Sequence, residues 1–133
     1  GIIEIVVAVL VLSIGLLGLA GLQVRTLRNS ESSMQRGIAV VETHAVADAM
    51  RADRINALDG DFDLALAAPA PTGATFAQVV LAGWRENIEN SLGEGATGSV
   101  DCNGALCRIT IQWNDTRASG GQETFSLTTE VQL

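Results

Sequence analysis

The sequence contains no lysine and no tyrosine, and only three phenylalanines, two tryptophans, two prolines and two cysteines among its 133 residues. Nucleic-acid-binding proteins present a basic face, and those that hold single strands add aromatic side chains on which the bases stack. This chain is acidic instead, with fifteen Asp and Glu against eight arginines and a net charge of −7. The composition therefore argues against a nucleic acid as partner.

Charge and hydrophobicity are concentrated in different parts of the chain. Hydrophobic residues make up 47% of it and charged residues 17%. Residues 1–58 hold five acids and five arginines and are neutral, whereas residues 59–133 hold ten acids and three arginines, a net charge of −7. The length suffices for one domain. We therefore expect an apolar N-terminal element attached to one acidic, water-facing domain, which disfavours an ordinary soluble enzyme.

The apolar element is an uncharged run from Ile5 to Leu22. As a helix it would be about 27 Å long, close to the thickness of a bilayer's hydrocarbon core. A secretory signal peptide is the competing interpretation, but no basic stretch precedes the run and Gly18-Leu19-Ala20 is only a faint cleavage site. The sequence favours a retained transmembrane helix over residues 1–23. Arg25 and Arg28 follow it, and the positive-inside rule would place them in the cytoplasm unless a removed leader carried more positive charge.

Glu4 is the one charge within the first 24 residues. A carboxylate inside a bilayer costs about 3 kcal/mol, so such residues usually have a partner and a function. Glu4 is either solvated at the membrane surface or paired with a positive group, such as the N-terminal amine of a neighbouring chain; its place near a chain end favours the pair. Gly15, Gly18 and Gly21 allow close helix packing or local unwinding, although membrane helices also simply tolerate glycine.

A helical pattern continues beyond the apolar run. Its steps of three and four residues predict an amphipathic helix over residues 24–57, continuous with the first part and about 80 Å long in total. The expected seam consists of Val24, Leu27, Glu31, Met34, Ile38, Val41, Ala45, Asp48, Ala52 and Ile55. A helix of that length needs partners along much of it. We expect its amphipathic half to cover the sheet and its first half to meet lipid or other copies of the chain.

The rest of the chain predicts a loop, a helix and a sheet. Residues 58–74 form the loop, and Thr75 caps a helix over residues 75–92. Residues 98–133 contain three strands, at 98–101, 106–114 and 122–133, whose alternation indicates an antiparallel sheet covered on one face. The helix is expected to bury Phe76, Val80, Trp84, Ile88 and Leu92; the strands are expected to bury Cys107, Ile109, Ile111 and Trp113, and Phe125, Leu127, Val131 and Leu133.

The cysteines, Cys102 and Cys107, flank an Asn103-Gly104 turn signal. A tight hairpin would bring the two thiols together, so we favour a disulfide over two reduced cysteines and hence an oxidising compartment. A zinc site is disfavoured because two thiols and the distant His44 do not make a tetrahedral set. The sequence therefore predicts neither a metal nor any other cofactor.

For the other candidate sites, a purely structural role of the residues is better supported than a functional one. Asp59, Asp61 and Asp63 have the spacing that opens a calcium loop, but a leucine and an alanine stand where its glycine and bidentate glutamate belong. We expect a solvated acidic loop there. His44 reads as a lone polar helix residue, and Trp84 and Trp113 as core residues. No catalytic motif is found, which predicts a protein that is not an enzyme.

These features together resemble a known family. The first 23 residues, GIIEIVVAVLVLSIGLLGLAGLQ, closely resemble the N-terminus of the type IV pilin superfamily. LAGWRENIENSLGEGATGSVDC, followed by CRITIQWND, is similar to the PilV-like minor pilins. The resemblance implies an α+β fold in which a long N-terminal helix packs on a C-terminal antiparallel sheet of three to four strands.

The resemblance also implies how the protein is processed and assembled. Prepilins sit in the bacterial inner membrane with the head in the periplasm. A prepilin peptidase cuts them, the new first residue is N-methylated, and assembly machinery moves the subunits into an extracellular filament. The family's early glutamate corresponds to Glu4, which would meet a neighbour's N-terminus. The apolar assembly residues would be Ile2, Ile3, Ile5, Val6, Val9 and Leu10.

Two departures from the family pattern lead to further expectations. The family's glutamate is the fifth residue and here it is the fourth. Either the chain has lost one residue or a modified first residue precedes Gly1; we expect the second, an N-methylated aromatic residue. The proline often found near residue 21 is absent, and Gly18 and Gly21 would supply that flexibility.

The sequence thus predicts a structural pilus subunit, of the minor-pilin kind, whose partners are other pilin subunits. A major pilin and a type II secretion pseudopilin are the related alternatives. A single-pass membrane-anchored binding domain, or an enzyme tethered in that way, is the alternative from a different class; its helix would stay in lipid and its head would be monomeric.

Overall fold

The computed structural model, which describes residues 1–117 and 120–133, is an α+β fold built on one very long helix. The elements are α1 (Ile2–Ala52), α2 (Arg54–Leu58), α3 (Phe76–Leu92), β1 (Thr97–Asn103), β2 (Leu106–Trp113) and β3 (Phe125–Gln132). The strands form an antiparallel sheet in the order β1-β2-β3. The second half of α1 packs against α3 and the sheet, so the predicted fold class is confirmed.

The long helix ends earlier than predicted. It spans 51 residues, about 76 Å at 1.5 Å per residue, and stops at Ala52 rather than at residue 57. Asp53 leaves the helical region with φ −121° and ψ 52°, and its carboxylate accepts hydrogen bonds from Asn56 Nδ2 at 2.9 and 3.0 Å. Asp and Asn side chains favour such local bonds over helix interiors. The short α2 that follows buries Ala57 and leaves Ile55 exposed.

The predicted seam of α1 is wrong as the face that covers the head. The residues of α1 that the head buries are Ser32, Gln35, Ala39, Thr43, Val46, Ala47 and Met50. Of the ten predicted seam residues, only Glu31 and Ile38 are even half-buried. Small and polar side chains allow α1 to lie close to α3 and the sheet, and Thr43 satisfies its hydroxyl on the Ala39 carbonyl at 2.8 Å.

The sheet confirms the predicted alternation. Cys107, Ile109, Ile111 and Trp113 of β2 are buried, while the inward residues of the edge strand β3 are buried or half-buried. β1 is longer than predicted because it pairs with β2 from Thr97↔Gln112 to Asn103↔Leu106, and β3 begins at residue 125 rather than 122. The hairpin turn is Gly104-Ala105, one residue later than predicted, with Gly104 at φ +62°.

The capping of α3 is as predicted, but its first turn is not. Thr75 accepts a hydrogen bond from the Gln78 amide at 3.3 Å and completes a capping box. Trp84, Ile88 and Leu92 are buried as expected, and Val80 is half-buried. Phe76, however, is exposed, and the buried positions at this end of α3 are Ala77 and Leu81.

The connection between α2 and α3 is more ordered than a loop prediction implies. Phe62 is fully buried, and Leu64 exchanges two backbone hydrogen bonds with Val100 at 2.8 and 2.9 Å, which adds one bridge beside β1. Arg85 of α3 donates to the carbonyls of Gly98, Ala68 and Ala65 at 2.7, 2.9 and 2.7 Å. Burial lowers the pKa of this guanidinium, because desolvation disfavours its charged form.

Close contact between α3 and β1 requires a glycine at position 98. A Cβ on Gly98 would overlap the ring of Trp84 and lie 2.9 Å from Ile88 Cδ1. The Trp84 indole N–H in turn donates to the Glu42 carbonyl of α1 at 2.9 Å. Trp84 therefore joins the long helix, α3 and the sheet in one core.

Candidate assembly surface

The N-terminal part of α1 is left uncovered by the rest of the described chain. Every residue from Gly1 to Ser30 is exposed, including the apolar residues proposed for assembly: Ile2, Ile3, Ile5, Val6, Val9 and Leu10. An 18-residue window of this helix has a mean hydropathy of 2.8 and none of it is buried. By length and composition, the helix could span a membrane.

Glu4 is highly exposed, with 84% of its side chain accessible. Its Oε2 lies 3.0 Å from the nitrogen of Gly1, three residues earlier on the same helix turn. An exposed contact of this kind contributes little to stability. The carboxylate is therefore free to exchange this local contact for one on another molecule, and its pairing with a neighbouring N-terminus stays a prediction.

No other part of the described chain packs against Gly15, Gly18 or Gly21. A Cβ built on any of them would meet nothing within 4 Å. Glycine in a helix interior costs about 1 kcal/mol relative to alanine. Close packing on another helix, local unwinding and simple tolerance of glycine in a membrane helix all stay open for these positions.

The apolar residues of the predicted seam lie mainly on the side of α1 that faces away from the head. At 100° per residue, Met34 and Val41 are rotated by roughly 140–180° from the buried Ser32 and Ala39. Met34 is 60% exposed and Val41 is 64% exposed. We call this stripe the back face of α1; it consists of Leu27, Met34, Gly37, Val41 and Ala45, all of which are exposed.

Polar contacts fix the opposite side of α1 to the head where the helix first meets it. Asp115, which follows β2 and is 1% exposed, accepts a hydrogen bond from Ser32 Oγ at 3.2 Å. Arg36 lies 3.8 Å from the same carboxylate oxygen, and its guanidinium stacks 4.6 Å from the centroid of Phe125. These contacts fix the angle at which the uncovered part of α1 leaves the head.

The outer surface of the head is acidic and has little internal compensation. Arg108 pairs with Glu130 at 3.0 Å, Arg117 pairs with Glu31 of α1 at 2.7 Å, and Arg85 is held by the three backbone carbonyls described above. All three arginines between residues 59 and 133 are therefore engaged within the chain. The head presents most of its carboxylates to solvent.

The remaining predicted residues are placed as follows. Cys102 and Cys107 form a disulfide across the hairpin, with Cα atoms 4.0 Å apart, so the predicted pairing is confirmed. Trp84 and Trp113 are core residues, as expected, and His44 lies exposed on α1.

The acidic connection also has a structural use. Asp63 accepts a hydrogen bond from the Cys102 amide at 3.0 Å, which a count of carboxylates along the sequence could not indicate. In the part of the chain that the structure describes, no three His, Cys, Asp or Glu side chains are grouped so that they could hold a metal ion.

Comparison of the chain with models of protein families, with curated proteins and with solved structures finds no match.

Proposed function

We propose that the chain is a structural subunit of a type IV pilus-like filament and that it assembles through α1. The observation that carries this proposal is the exposure of an apolar helical segment, from Ile2 to Leu22, on a head that is otherwise folded and acidic. Burying apolar surface gains about 25 cal/mol per Å², so such a helix is driven out of water. It enters lipid before assembly and a bundle of like helices afterwards.

The back face extends this assembly surface beyond the membrane segment. Its apolar residues Leu27, Met34 and Val41 recur every seven residues, the spacing at which two helices pack side by side. Gly37 lies among them, and a Cβ there would meet nothing within the chain. A glycine at this position allows a neighbouring helix to approach closely.

Glu4 sets the register of assembly in this proposal. Within a bundle of apolar helices an unpaired carboxylate would be strongly unfavourable, whereas a pair with a neighbour's amine removes much of that penalty. The bundle therefore favours the arrangement in which each Glu4 meets a neighbouring N-terminus.

The disulfide and the head sequence support a compartment and a type of subunit. The disulfide between Cys102 and Cys107 suits the periplasm and the cell exterior. We propose processing by a prepilin peptidase in the inner membrane and display of the acidic heads on the outside of the filament. The similarity of the head to PilV-like sequences favours a minor pilin over a major pilin or a pseudopilin.

The test compares Glu4→Ala with Glu86→Ala, a matched change at an exposed acid of α3, in cells that carry each variant. Filaments are sheared from the surface, imaged by electron microscopy and assayed for the chain by mass spectrometry. We expect Glu4→Ala to lower the amount in filaments by about tenfold or more, because one neighbour's amine is left unpaired. Glu86→Ala should leave it unchanged.

Two results would contradict the proposal. Normal incorporation of Glu4→Ala would remove the role given to this carboxylate. Absence of the unaltered chain from every filament, together with a monomeric head in the membrane fraction, would favour the membrane-anchored binding domain instead.

A further inference from the structure

The two edges of the sheet differ in how their backbone groups are satisfied. At the outer edge of β1, Val100 exchanges two backbone hydrogen bonds with Leu64 at 2.8 and 2.9 Å. Two residues further on, the Cys102 amide donates to the Asp63 carboxylate at 3.0 Å. The connection between α2 and α3 therefore covers this edge.

The outer edge of β3 is open. The Leu133 amide donates to the Ala105 carbonyl at 2.8 Å, which continues the antiparallel register between β2 and β3. Because bonded pairs alternate in such a ladder, the odd-numbered residues of β3 bond to β2 and the even-numbered ones direct their N–H and C=O groups outward. These outward groups belong to Ser126, Thr128 and Glu130. Within residues 1–117 and 120–133, no hydrogen bond from outside the ladder reaches their backbone.

β3 also lacks the features that usually protect an exposed edge. Natural edge strands are often very short, bulged, or interrupted by proline or lysine, which discourages another strand from adding. β3 instead pairs with β2 over eight consecutive positions without a bulge, and it contains neither proline nor lysine. Its one charge, Glu130, is paired with Arg108 at 3.0 Å. The edge is therefore suited to accept a further strand.

Apolar side chains beside the open edge are only partly covered. On the inner face of the sheet, Phe125 and Leu127 of β3 are half-buried. Val40 of α1 is 44% exposed and lies one helical turn after Arg36, whose guanidinium stacks on Phe125. A strand added to β3 would bring every second side chain to this inner face. A fitting strand therefore has apolar residues on its inner side and polar residues on its outer side.

A second copy of the chain does not fit this edge. Arg36 contacts Phe125 at the start of β3, and Arg51 donates to the last carbonyl of the strand at 3.2 Å, so α1 and β3 run in the same direction. Antiparallel pairing of two β3 strands would therefore point the two apolar N-terminal segments in opposite directions, away from a shared membrane or parallel bundle. Parallel pairing would turn one sheet over and set its apolar row beside the polar row of the other.

We propose that the outer edge of β3 binds an extended strand of a different protein, antiparallel to β3 and with its apolar residues on the inner side of the sheet. The backbone of Ser126, Thr128 and Glu130 supplies the hydrogen bonds, and Leu127 and Val40 supply the apolar contact. The antiparallel direction continues the two pairings already present. The exclusion of a second copy rests on the proposed function, because it requires the N-terminal segments to share one membrane or bundle; the open edge does not.

The binding test uses the monomeric full chain in detergent micelles, labelled with ¹⁵N, so that it does not depend on filament formation. The probe is the peptide acetyl-Lys-Val-Thr-Val-Thr-Val-Thr-Lys-amide, whose valines suit the inner side and whose threonines suit the outer side. In the free chain, the amides of Thr128 and Glu130 should exchange with solvent at least about tenfold faster than those of Leu127 and Thr129, which bond to β2. Saturating peptide should slow the two edge amides by at least about tenfold.

Two N-methylated versions of the peptide test the backbone contact. In the antiparallel arrangement the threonine amides face β3 and the valine amides face away. Methylation of the three threonine amides should weaken binding by at least about tenfold, because main-chain hydrogen bonds supply the affinity. Methylation of the three valine amides should change binding by less than about threefold. The reverse order would contradict the antiparallel arrangement.

Variants of the chain test the same contact from the other side. Thr128→Pro removes the N–H that faces the edge, a change that edge strands tolerate, and should weaken peptide binding by at least about tenfold. Thr128→Ser keeps both this N–H and the hydroxyl and should bind within about twofold of the parent chain. Near-ultraviolet circular dichroism checks that each head is folded, and the methylated peptides decide the question where Thr128→Pro is not.

The proposal is overturned by slow exchange of the edge amides in the free chain, by the absence of a saturable effect of the peptide, or by equal binding of the two methylated peptides. It is also overturned by protection of the edge when the chain is concentrated without peptide, which would make a second copy the occupant. These outcomes leave α1 free to assemble filaments. Conversely, peptide binding by a chain that never enters filaments would remove the filament proposal and retain the open edge as a strand-binding site.

Discussion

The two halves of α1 use hydrophobic residues in opposite ways. From Ile2 to Leu22 the helix is apolar apart from Glu4 and Ser13, and every residue up to Ser30 is exposed. From Ser32 to Met50 it packs on the head, and three of the seven residues it buries there are polar: Ser32, Gln35 and Thr43. Met34 and Val41 stay outside. In this helix, apolar side chains lie on exposed surfaces as well as in the internal core.

The largest expected difference between the two regions is in how a core-type substitution affects folding. Ile111→Ala removes a fully buried side chain from the sheet and should lower the free energy of unfolding by about 3–4 kcal/mol. Ile14→Ala, in the uncovered half of α1, should change it by less than about 0.5 kcal/mol. Thermal or denaturant unfolding of the head, followed by near-ultraviolet circular dichroism in detergent, measures both. Equal losses would show that the N-terminal half helps to stabilise the head.

Two glycine substitutions should change the free energy of unfolding in opposite directions. Gly98→Ala places a methyl group against the ring of Trp84 and should destabilise the head by about 1–3 kcal/mol. Gly37→Ala meets open space on the back face and should stabilise the isolated chain by about 0.5–1 kcal/mol through helix propensity. The same unfolding measurements check both values. A destabilising Gly37→Ala would contradict the assignment of the back face as uncovered.

The smallest effect concerns Glu42, in the groove between α1 and α3. Desolvation raises the pKa of Glu42 above its usual 4.5, so ionisation is less favourable in the folded chain than in the unfolded one. The folded state therefore loses stability as pH rises through the raised pKa and regains it as pH falls. Glu42→Gln, which cannot ionise, should be slightly more stable than the parent at pH 7, and the difference should shrink toward pH 4. A constant difference across this range would exclude the ionisation as its cause.

Hydrophobic periodicity and helix-capping residues predicted much of this fold from the sequence. The alternation in β2 fixed its inward face because one side of the sheet is buried, and Thr75 with Gln78 marked the start of α3. The cysteines could be paired because a tight hairpin in the four residues between them brings the two thiols together. These signals are local, and they agree with the tertiary structure.

The sequence did not show which face of α1 the head buries or how the connection after α2 folds back. Leu27, Met34 and Val41 recur every seven residues, but periodicity does not say whether a helix face is buried by its own chain or left exposed. The end of α1 at Asp53 depends on a side-chain bond to Asn56. The buried Phe62 and the carbonyl contacts of Arg85 depend on how a connection folds back, which no local pattern encodes.

The central claim is that the back face of α1 is exposed in the single chain and covered by other subunits in the filament. The most direct measurement is the alkylation rate of Met34→Cys by a membrane-impermeant maleimide, in monomers in detergent and in sheared filaments. Gln132→Cys, on the outer face of β3, is the control. We predict that Met34→Cys reacts rapidly in the monomer and at least about tenfold more slowly in filaments, while Gln132→Cys reacts at similar rates in both. Equal reactivity of Met34→Cys in the two states would contradict the account.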